Sequence, residues 1–190
     1  MRIGIDIDGV LTDIEKWQFE VGSKYLGKYI KNPNEYNIRD IFEISSELEN
    51  KFWDDLFLEY IKTESPRRYA SEVINKLKEE KNEIYILTAR YLEDGNTGEG
   101  SKIRNIVTTW LNENGIYFDE LIFTPEHKLQ ACKKYCIDIM IEDNPDNVND
   151  ISNIIPVMCF NAHYNEKCIG KNIFRVYSWY DLFEKIKNLI

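Results

Sequence analysis

Positive charge is scarce in this chain. It has 24 Lys and Arg against 33 Asp and Glu, which gives a formal net charge of −9 at pH 7. A surface with this balance repels the phosphate backbone of nucleic acids and anionic lipid headgroups. We therefore expect neither a nucleic-acid duplex nor a membrane as the main partner. A small anionic substrate is compatible with the composition, because a metal ion and a few local cations suffice to hold it.

Long hydrophobic runs are absent as well. No stretch approaches the ~18 consecutive apolar residues that a membrane-spanning helix needs. The first residues show no basic leader followed by an apolar segment, which a secretory signal peptide would have. From these two absences we expect a cytoplasmic protein.

Patterns typical of thiolate metal sites are also missing. The four cysteines form no Cys-x-x-Cys pair. Cys132 and Cys136 lie four residues apart on a predicted helix, with only His127 and His163 as further candidate ligands besides the other cysteines. A zinc site therefore has little support, and reduced, mostly buried thiols are the expectation.

The pattern that is present is an alternation of strands and helices. The chain has 190 residues, of which 43% are hydrophobic and 30% are charged, enough to build a sizeable core. Segments with helical periodicity alternate with short apolar runs. The sequence therefore predicts an α/β fold with a doubly wound, Rossmann-like parallel sheet. The predicted strands lie near residues 3–7, 83–88, 119–123, 137–141, 155–160 and 173–176.

One helical stretch interrupts this alternation. Residues 14–64 show helical periodicity and no strand pattern. Within them, Ser46-Glu47-Leu48-Glu49 fits a capping box at a helix start. Directly after them, Ser65-Pro66 fits the first turn of the next helix. We therefore predict a small helical cap at 14–64, inserted after the first strand into a core that comprises 1–13 and 65–190.

Two carboxylates lie where the first predicted strand ends. Asp6 and Asp8 alternate with the isoleucines of residues 3–7, and Gly9 supplies a sharp turn. Side chains at i and i+2 point to the same side of a strand, so we expect the two acids to be close together and partly desolvated. A divalent cation with a phosphate would compensate their charge. A plain Asp8-Gly9 turn is the alternative, but it leaves Asp6 unexplained.

Further polar side chains occur at the ends of other predicted strands. Thr88 ends the second strand, Lys128 opens the helix after the third, and Glu142 and Asp143 follow the fourth. The carboxyl ends of parallel strands meet at one edge of a sheet. These residues are therefore expected to share a site with Asp6.

A polar stretch with three glycines, residues 91–101, follows Thr88. It lacks the Lys-Ser/Thr ending of a phosphate-binding P-loop. We expect a mobile loop that either closes over the site or is simply flexible. Lys102, at the helix start beside this loop, is an alternative to Lys128, and Asp146 is an alternative acid for a metal site.

Taken together, these motifs resemble the haloacid dehalogenase (HAD) superfamily of phosphatases. The matching segments are Asp6-Ile7-Asp8-Gly9-Val10-Leu11-Thr12, Leu87-Thr88-Ala89-Arg90, Lys128 and Ile141-Glu142-Asp143-Asn144. The resemblance spans the core, and the insert has the position of that superfamily's first, helical type of cap. More narrowly, residues 88–90, 110–123 and 128–143 resemble the 5′(3′)-deoxyribonucleotidase-like nucleotidases.

The resemblance implies a role for each motif residue. Asp6 would attack phosphorus and form an aspartyl-phosphate, and Asp8 would give a proton to the leaving oxygen and later take one from water. Mg²⁺ would bind the Asp6 carboxylate, the Asp8 carbonyl and Asp143, while Glu142 would act behind them through water. The phosphate contacts would come from Thr88, Ala89, Arg90 and Lys128.

The function implied by the resemblance is a Mg²⁺-dependent phosphomonoesterase acting on a nucleoside or deoxynucleoside monophosphate. One alternative keeps the chemistry and changes the substrate to a sugar phosphate or a similar small metabolite. Another is a phosphate-binding module without turnover. The presence of Asp6, Asp8, Lys128 and Asp143 speaks against this module.

Three points stay open at this stage: the role of Arg90, the role of the aromatic residues in the predicted cap, and the oligomeric state. Arg90 either contacts the phosphate or pairs with one of the nearby acids. The cap aromatics, Trp17 and Trp53 among them, either stack on a base, as the resemblance implies, or pack the helical bundle. A homodimer is one alternative for the assembly.

Overall fold

The computed structural model describes residues 1–90, 98–125 and 127–189. The strands in this part of the chain are β1 (Arg2–Ile5), β2 (Glu83–Thr88), β3 (Glu120–Phe123), β4 (Ile139–Glu142), β5 (Val157–Phe160) and β6 (Ile173–Val176). They form one sheet in the order β3-β2-β1-β4-β5-β6, and every neighbouring pair is parallel. The predicted doubly wound parallel sheet is thereby confirmed.

Helices follow the strands on both faces of this sheet. Those of the described residues are α1 (Ile14–Leu26), α2 (Ile38–Phe42), α3 (Ser46–Thr63), α4 (Ala70–Glu79), α5 (Gly98–Glu113), α6 (Leu129–Lys134), α7 (Pro145–Ile151) and α8 (Trp179–Leu189). Alternate strand residues face two separate cores. Ile84 and Ile86 pack with α4, α5 and α8, whereas Tyr85 and Leu87 pack with α6 and α7.

The turn after β1 differs from the predicted geometry. β1 ends at Ile5, two residues before the predicted end, and the chain continues as a π-type turn over Ile7–Leu11. Inside this turn Asp8 has non-helical torsions (φ −78°, ψ 118°), and Gly9 has a left-handed φ of +87°. Asp6 precedes this turn and Asp8 lies within it, so the alternation of side chains along a strand does not place the two acids.

The stretch predicted as a cap is helical and contains α1, α2 and α3. The helix α2 has only five residues. Trp17 of α1, Phe42 of α2 and Phe52 of α3 share one apolar cluster, which explains why this short helix forms. The division into a cap at 14–64 and a core stays a prediction.

Two helices begin elsewhere than predicted. Ser45 is the N-cap of α3, since its Oγ accepts the backbone N–H three residues on at 3.2 Å. The capping box predicted at Ser46 is therefore wrong by one residue. The helix α4 begins at Ala70 after Tyr69, whose φ of +68° is left-handed, so the prediction that Ser65-Pro66 opens this helix is wrong.

The loop predicted at 91–101 falls partly outside the described residues, which omit 91–97. Residues 98–101, expected in that loop, form the first turn of α5. Among the described helices, none has both the length and the apolar character needed to cross a membrane.

Candidate active site

Three carboxylates meet at the carboxyl ends of two neighbouring strands. Asp6 follows β1, Glu142 ends β4, and Asp143 comes next. One oxygen atom from each side chain lies within 4.8 Å of the other two. All three residues are buried, and Glu142 and Asp143 expose none of their surface. The strand order reverses between β1 and β4, which is where open α/β sheets bind their ligands.

Lys128 reaches this acid cluster from the start of α6. Its Nζ lies 2.7 Å from Oδ1 of Asp6 and 2.9 Å from Oε2 of Glu142. The backbone N–H of Lys128 donates to Oδ1 of Asn147 at 2.9 Å, which fixes the start of the helix. The side chain is 3% exposed, so water screens these ion pairs little.

The charges in the cluster do not cancel. Burial raises the pKa of Asp6 well above its ordinary value, Lys128 opposes this shift, and Glu142 and Asp8 add to it. Burial, followed by Glu142 and Asp6, likewise raises the pKa of Asp143. Although burial disfavours the charged form of Lys128, the two acids beside it raise its pKa. Three carboxylates around one ammonium leave negative charge that a divalent cation would neutralise.

Asp143 is held so that one of its oxygens stays open. Oδ2 accepts a hydrogen bond from the hydroxyl of Tyr164, and the carbonyl accepts one from Nδ2 of Asn165 at 2.8 Å. Oδ1 is buried and has no hydrogen-bond partner among the described residues. A buried carboxylate oxygen without a partner is costly, and it is the kind of atom that ligates a cation. The residues present therefore fit a divalent metal ion.

Gly9 is the residue that lets Asp143 lie here. A Cβ at position 9 would lie 1.9 Å from Oδ2 of Asp143, far inside contact distance. Its left-handed φ of +87° also favours glycine. The glycine in the first motif thus serves both the turn and the acid cluster.

Both oxygens of Glu142 are engaged. Oε2 pairs with Lys128 at 2.9 Å, while Oε1 accepts the backbone N–H groups of Asp143 and Asn144, each at 3.1 Å. This arrangement orients the ammonium of Lys128 toward Asp6. It also leaves neither oxygen of Glu142 without a hydrogen-bond partner.

Two tyrosines that sequence reasoning missed border the cluster. Tyr164 lies in a 3-10 turn (His163–Asn165) that follows β5, and Tyr36 lies between α1 and α2. Their rings meet edge to face with centroids 5.0 Å apart. Burial, followed by the charge of Asp143, raises the pKa of both hydroxyls, so they remain donors. The position of Tyr164 after a strand was a usable signal, whereas nothing in the pattern distinguished Tyr36.

Asp8 lies within the turn and binds different partners. Nε of Arg90 is 3.1 Å from each Asp8 oxygen, and Nη2 is 2.7 Å from Oδ1. The hydroxyl of Tyr60 donates to the same Oδ1 at 2.6 Å. Burial opposes ionisation of Asp8, but Arg90 and then Tyr60 hold its pKa below the ordinary value. Of the two alternatives for Arg90, this structure contains the pairing with an acid.

The turn itself is fixed by Arg67, another residue that the motifs did not indicate. Its guanidinium donates to the carbonyls of Gly9 (3.1 and 3.3 Å) and Thr12 (3.2 Å). It also forms an ion pair of 2.8 Å with Asp13, the N-cap of α1. These contacts hold the turn that carries Asp8, and no sequence pattern links positions so far apart.

The second motif occupies its predicted place. Thr88 ends β2 beside β1 and is fully buried, and its Oγ1 accepts the backbone N–H of Arg90 at 3.2 Å. Ala89 follows and is half-buried. The alternative residues, Lys102 on α5 and Asp146 in the first turn of α7, are both exposed, and Asp146 does not belong to the buried acid cluster.

The tryptophans considered for base stacking, Trp17 on α1 and Trp53 on α3, pack against each other. The rings of Trp17 and Trp53 stack at 5.7 Å with an interplanar angle of 21°. Trp17 also meets Phe52 at 5.6 Å and is 9% exposed. In this structure Trp17 therefore belongs to the apolar cluster that α1, α2 and α3 share, and packing was the alternative to a ligand contact.

A comparison with protein families matches nearly the whole chain. The model of the family described as "5' nucleotidase, deoxy (Pyrimidine), cytosolic type C protein" covers residues 1–189. A nucleotidase from Clostridium acetobutylicum is 28% identical over 193 residues, which span 100% of this chain and 95% of that protein.

Solved structures share the fold at low sequence identity. A HAD-superfamily hydrolase of subfamily IA from Geobacter sulfurreducens superposes with a TM-score of 0.57 and 12% identity, covering 97% of this chain and 95% of its own. D,D-heptose 1,7-bisphosphate phosphatase from B. bronchiseptica, complexed with magnesium and phosphate, superposes with a TM-score of 0.55 and 10% identity. The match covers 100% of this chain and 99% of that one. At such identities the likeness establishes the fold.

Proposed function

Because the chain belongs to the 5′ nucleotidase, deoxy (pyrimidine), cytosolic type C family, we propose that it releases phosphate from a nucleoside or deoxynucleoside monophosphate. It is a phosphoric monoester hydrolase of the HAD type, and its substrate is a small phosphorylated molecule. The cytoplasm is the location we propose for it, with a homodimer as one alternative for its assembly.

The observation that carries this proposal is the contact between Asp6 and Lys128 inside the acid cluster. An ammonium 2.7 Å from the carboxylate keeps Asp6 oriented and favours its charged form, which is the nucleophilic form. The same ammonium would offset the negative charge of an incoming phosphoryl group. Phosphoryl transfer depends mainly on such positioning and charge neutralisation.

The proposed reaction has two steps. In the first, an Asp6 oxygen bonds to phosphorus while the bond from phosphorus to the ester oxygen breaks, and Asp8 gives its proton to that oxygen. In the second, water attacks the aspartyl-phosphate, Asp8 takes a proton from this water, and Asp6 and inorganic phosphate are released. A phosphate dianion bound nearby raises the pKa of Asp8, which favours the protonated form needed in the first step.

We further propose Mg²⁺ as the cation, held by the carboxylates of Asp6 and Asp143 and by the carbonyl of Asp8. The support is the unpartnered Oδ1 of Asp143 and the negative charge left uncompensated around Lys128. The magnesium and phosphate in the structure of the heptose bisphosphate phosphatase agree with this choice. When bound, Mg²⁺ would neutralise charge on the phosphate oxygens.

Thr88, the backbone of Ala89 and Lys128 are the phosphate ligands we propose. Thr88 ends β2 next to the acid cluster, and a backbone N–H after a strand end is free to meet an anion. Arg90 would add a contact through Nη1, a buried atom without a hydrogen-bond partner among the described residues.

A panel of phosphate esters, assayed with Mg²⁺ and with a chelator, tests the function. We expect Mg²⁺-dependent release from nucleoside monophosphates, and a loss of at least ~10³-fold in the Asp6→Asn variant. Asp146→Asn, which changes an exposed acid outside the cluster, is the matched control and should keep its activity. A preference for sugar phosphates would overturn the substrate assignment. If no ester releases phosphate and the Asp6→Asn variant behaves identically, the protein is instead a phosphate-binding module without turnover.

A further inference from the structure

The hydroxyl of Tyr60 reaches from the cap onto Asp8. Tyr60 lies on α3, is 2% exposed, and donates to Oδ1 of Asp8 at 2.6 Å. Oγ1 of Thr12 lies 2.8 Å from the same hydroxyl. A hydroxyl has a single proton, so a tyrosine that donates to Asp8 does not donate to Thr12. The proton of Thr12 is shared between Tyr60 and the carbonyl of Ile7, 3.2 Å from its Oγ1. The proton of Tyr60 therefore points at Oδ1 of Asp8 and gives this oxygen a defined direction.

Arg90 holds the same carboxylate from the core. Its guanidinium contacts both Asp8 oxygens, and the side chain is 1% exposed. The guanidinium carbon lies 5.2 Å from the ring centroid of Tyr60 and 5.7 Å from that of Trp110. Cation–π contacts of this kind strengthen when water is excluded. Asp8 is therefore clamped between a cap residue and a core residue that also contact each other.

The position of Tyr60 depends on how α3 sits on the core. Nε1 of Trp110, on α5, donates to the carbonyl of Glu64, the C-cap of α3, at 2.8 Å. On the cap side, the ring of Trp17 lies 4.6 Å from the ring of Tyr60. These contacts place the hydroxyl of Tyr60 over the turn that carries Asp8.

We propose that Tyr60 is a positioning residue, which orients the Asp8 carboxyl for proton transfer to the leaving oxygen. This inference rests on the proposed function. The bond from phosphorus to the ester oxygen breaks as that oxygen takes the Asp8 proton, so a misdirected carboxyl slows this step. An ester whose leaving group departs as a stable anion needs no proton in the first step. Its kcat/KM, which reports that step, is therefore insensitive to the orientation of Asp8, even though Asp8 still serves the second step.

The Tyr60→Phe variant, assayed with two esters, tests the inference. For a nucleoside monophosphate we expect kcat/KM to fall by about 10- to 100-fold, with the loss in kcat and KM little changed. For p-nitrophenyl phosphate, whose leaving group needs no proton, we expect kcat/KM to change by less than about 3-fold. Tyr25→Phe is the matched control, because Tyr25 also donates from the cap to a carboxylate, that of exposed Asp55 at 2.6 Å. It should behave as wild type.

A double variant separates positioning from general damage to the fold. If Tyr60 acts through Asp8, adding Tyr60→Phe to Asp8→Asn should reduce kcat/KM by less than about 2-fold. An equal loss for both esters, no loss for either, or a full additional loss in the double variant would overturn the inference while the proposed function stands. A wild-type protein inactive on both esters would overturn the two together.

Discussion

At the residue scale, two separate reasons keep position 9 a glycine, and they are separable by experiment. Gly9 and Gly27 both have a left-handed φ, +87° and +61° respectively. A Cβ at Gly27 would meet nothing within 4 Å, whereas a Cβ at Gly9 would collide with Asp143. Comparing the same substitution at Gly9 and at Gly27 therefore separates the cost of the clash with Asp143 from the cost of the backbone conformation.

Gly27→Ala should cost about 1 kcal/mol of unfolding free energy, the usual penalty for a side chain in this conformation. Gly9→Ala should cost about 1–3 kcal/mol more, because the added methyl group displaces the Asp143 carboxylate. Urea unfolding of both variants measures the difference. Equal losses would contradict the close approach of Asp143 to the turn.

The sequence indicates the residues of the site whose positions follow from topology. Asp6, Thr88 and Asp143 come directly at or after strand ends, and parallel strands bring those ends together. Tyr60 and Arg67 could not be predicted, because their roles arise only when helices distant in the chain pack over the turn. The resemblance to known phosphatases supplied the roles of the motif residues, which position alone does not provide.

At the scale of elements, strands were easier to predict than helix starts. Each predicted strand is present within about two residues, because a buried parallel strand is an apolar run that stands out in sequence. Short-range capping signals are less specific. Adjacent serines, Ser45 and Ser46, both fit an N-cap, and the left-handed conformation of Tyr69 before α4 has no local signature.

The choice between the two serines gives an element-scale prediction. Ser45→Ala removes the side-chain acceptor for the N–H of Leu48 and should cost about 1 kcal/mol. Ser46→Ala, in the first turn of the same helix, is the matched control and should cost less than about 0.5 kcal/mol. Thermal unfolding of both variants measures this difference. A larger loss for Ser46→Ala would move the start of α3 back to the predicted capping box.

At the scale of the whole molecule, an acidic chain buries part of its negative charge at the carboxyl ends of two central strands. The net charge is −9, and three acids share the buried site with Lys128. Asp6 and Asp143 have raised pKa values in the folded state. Between the unfolded pKa of about 4 and these raised values, the folded state binds more protons, so their contribution to stability is lost as pH rises. The lowered pKa of Asp8 acts in the opposite sense, and only in more acidic solution.

A cation that binds the ionised acids should remove this penalty, so Mg²⁺ should stabilise the protein more at pH about 7.5 than at about 5.5, where protons compete for the same oxygens. Saturation at 100 times Kd would add about 2.7 kcal/mol of unfolding free energy, or roughly 5–10 °C in Tm for a chain of this size. Thermal unfolding with Mg²⁺, against NaCl of equal ionic strength, measures the shift.

Asp143→Asn should lose the Mg²⁺ effect, yet without metal at neutral pH it should be no less stable than wild type, because it removes one of the clustered charges. A Mg²⁺ shift that is equal at both pH values, or that persists in this variant, would show that the cation binds elsewhere.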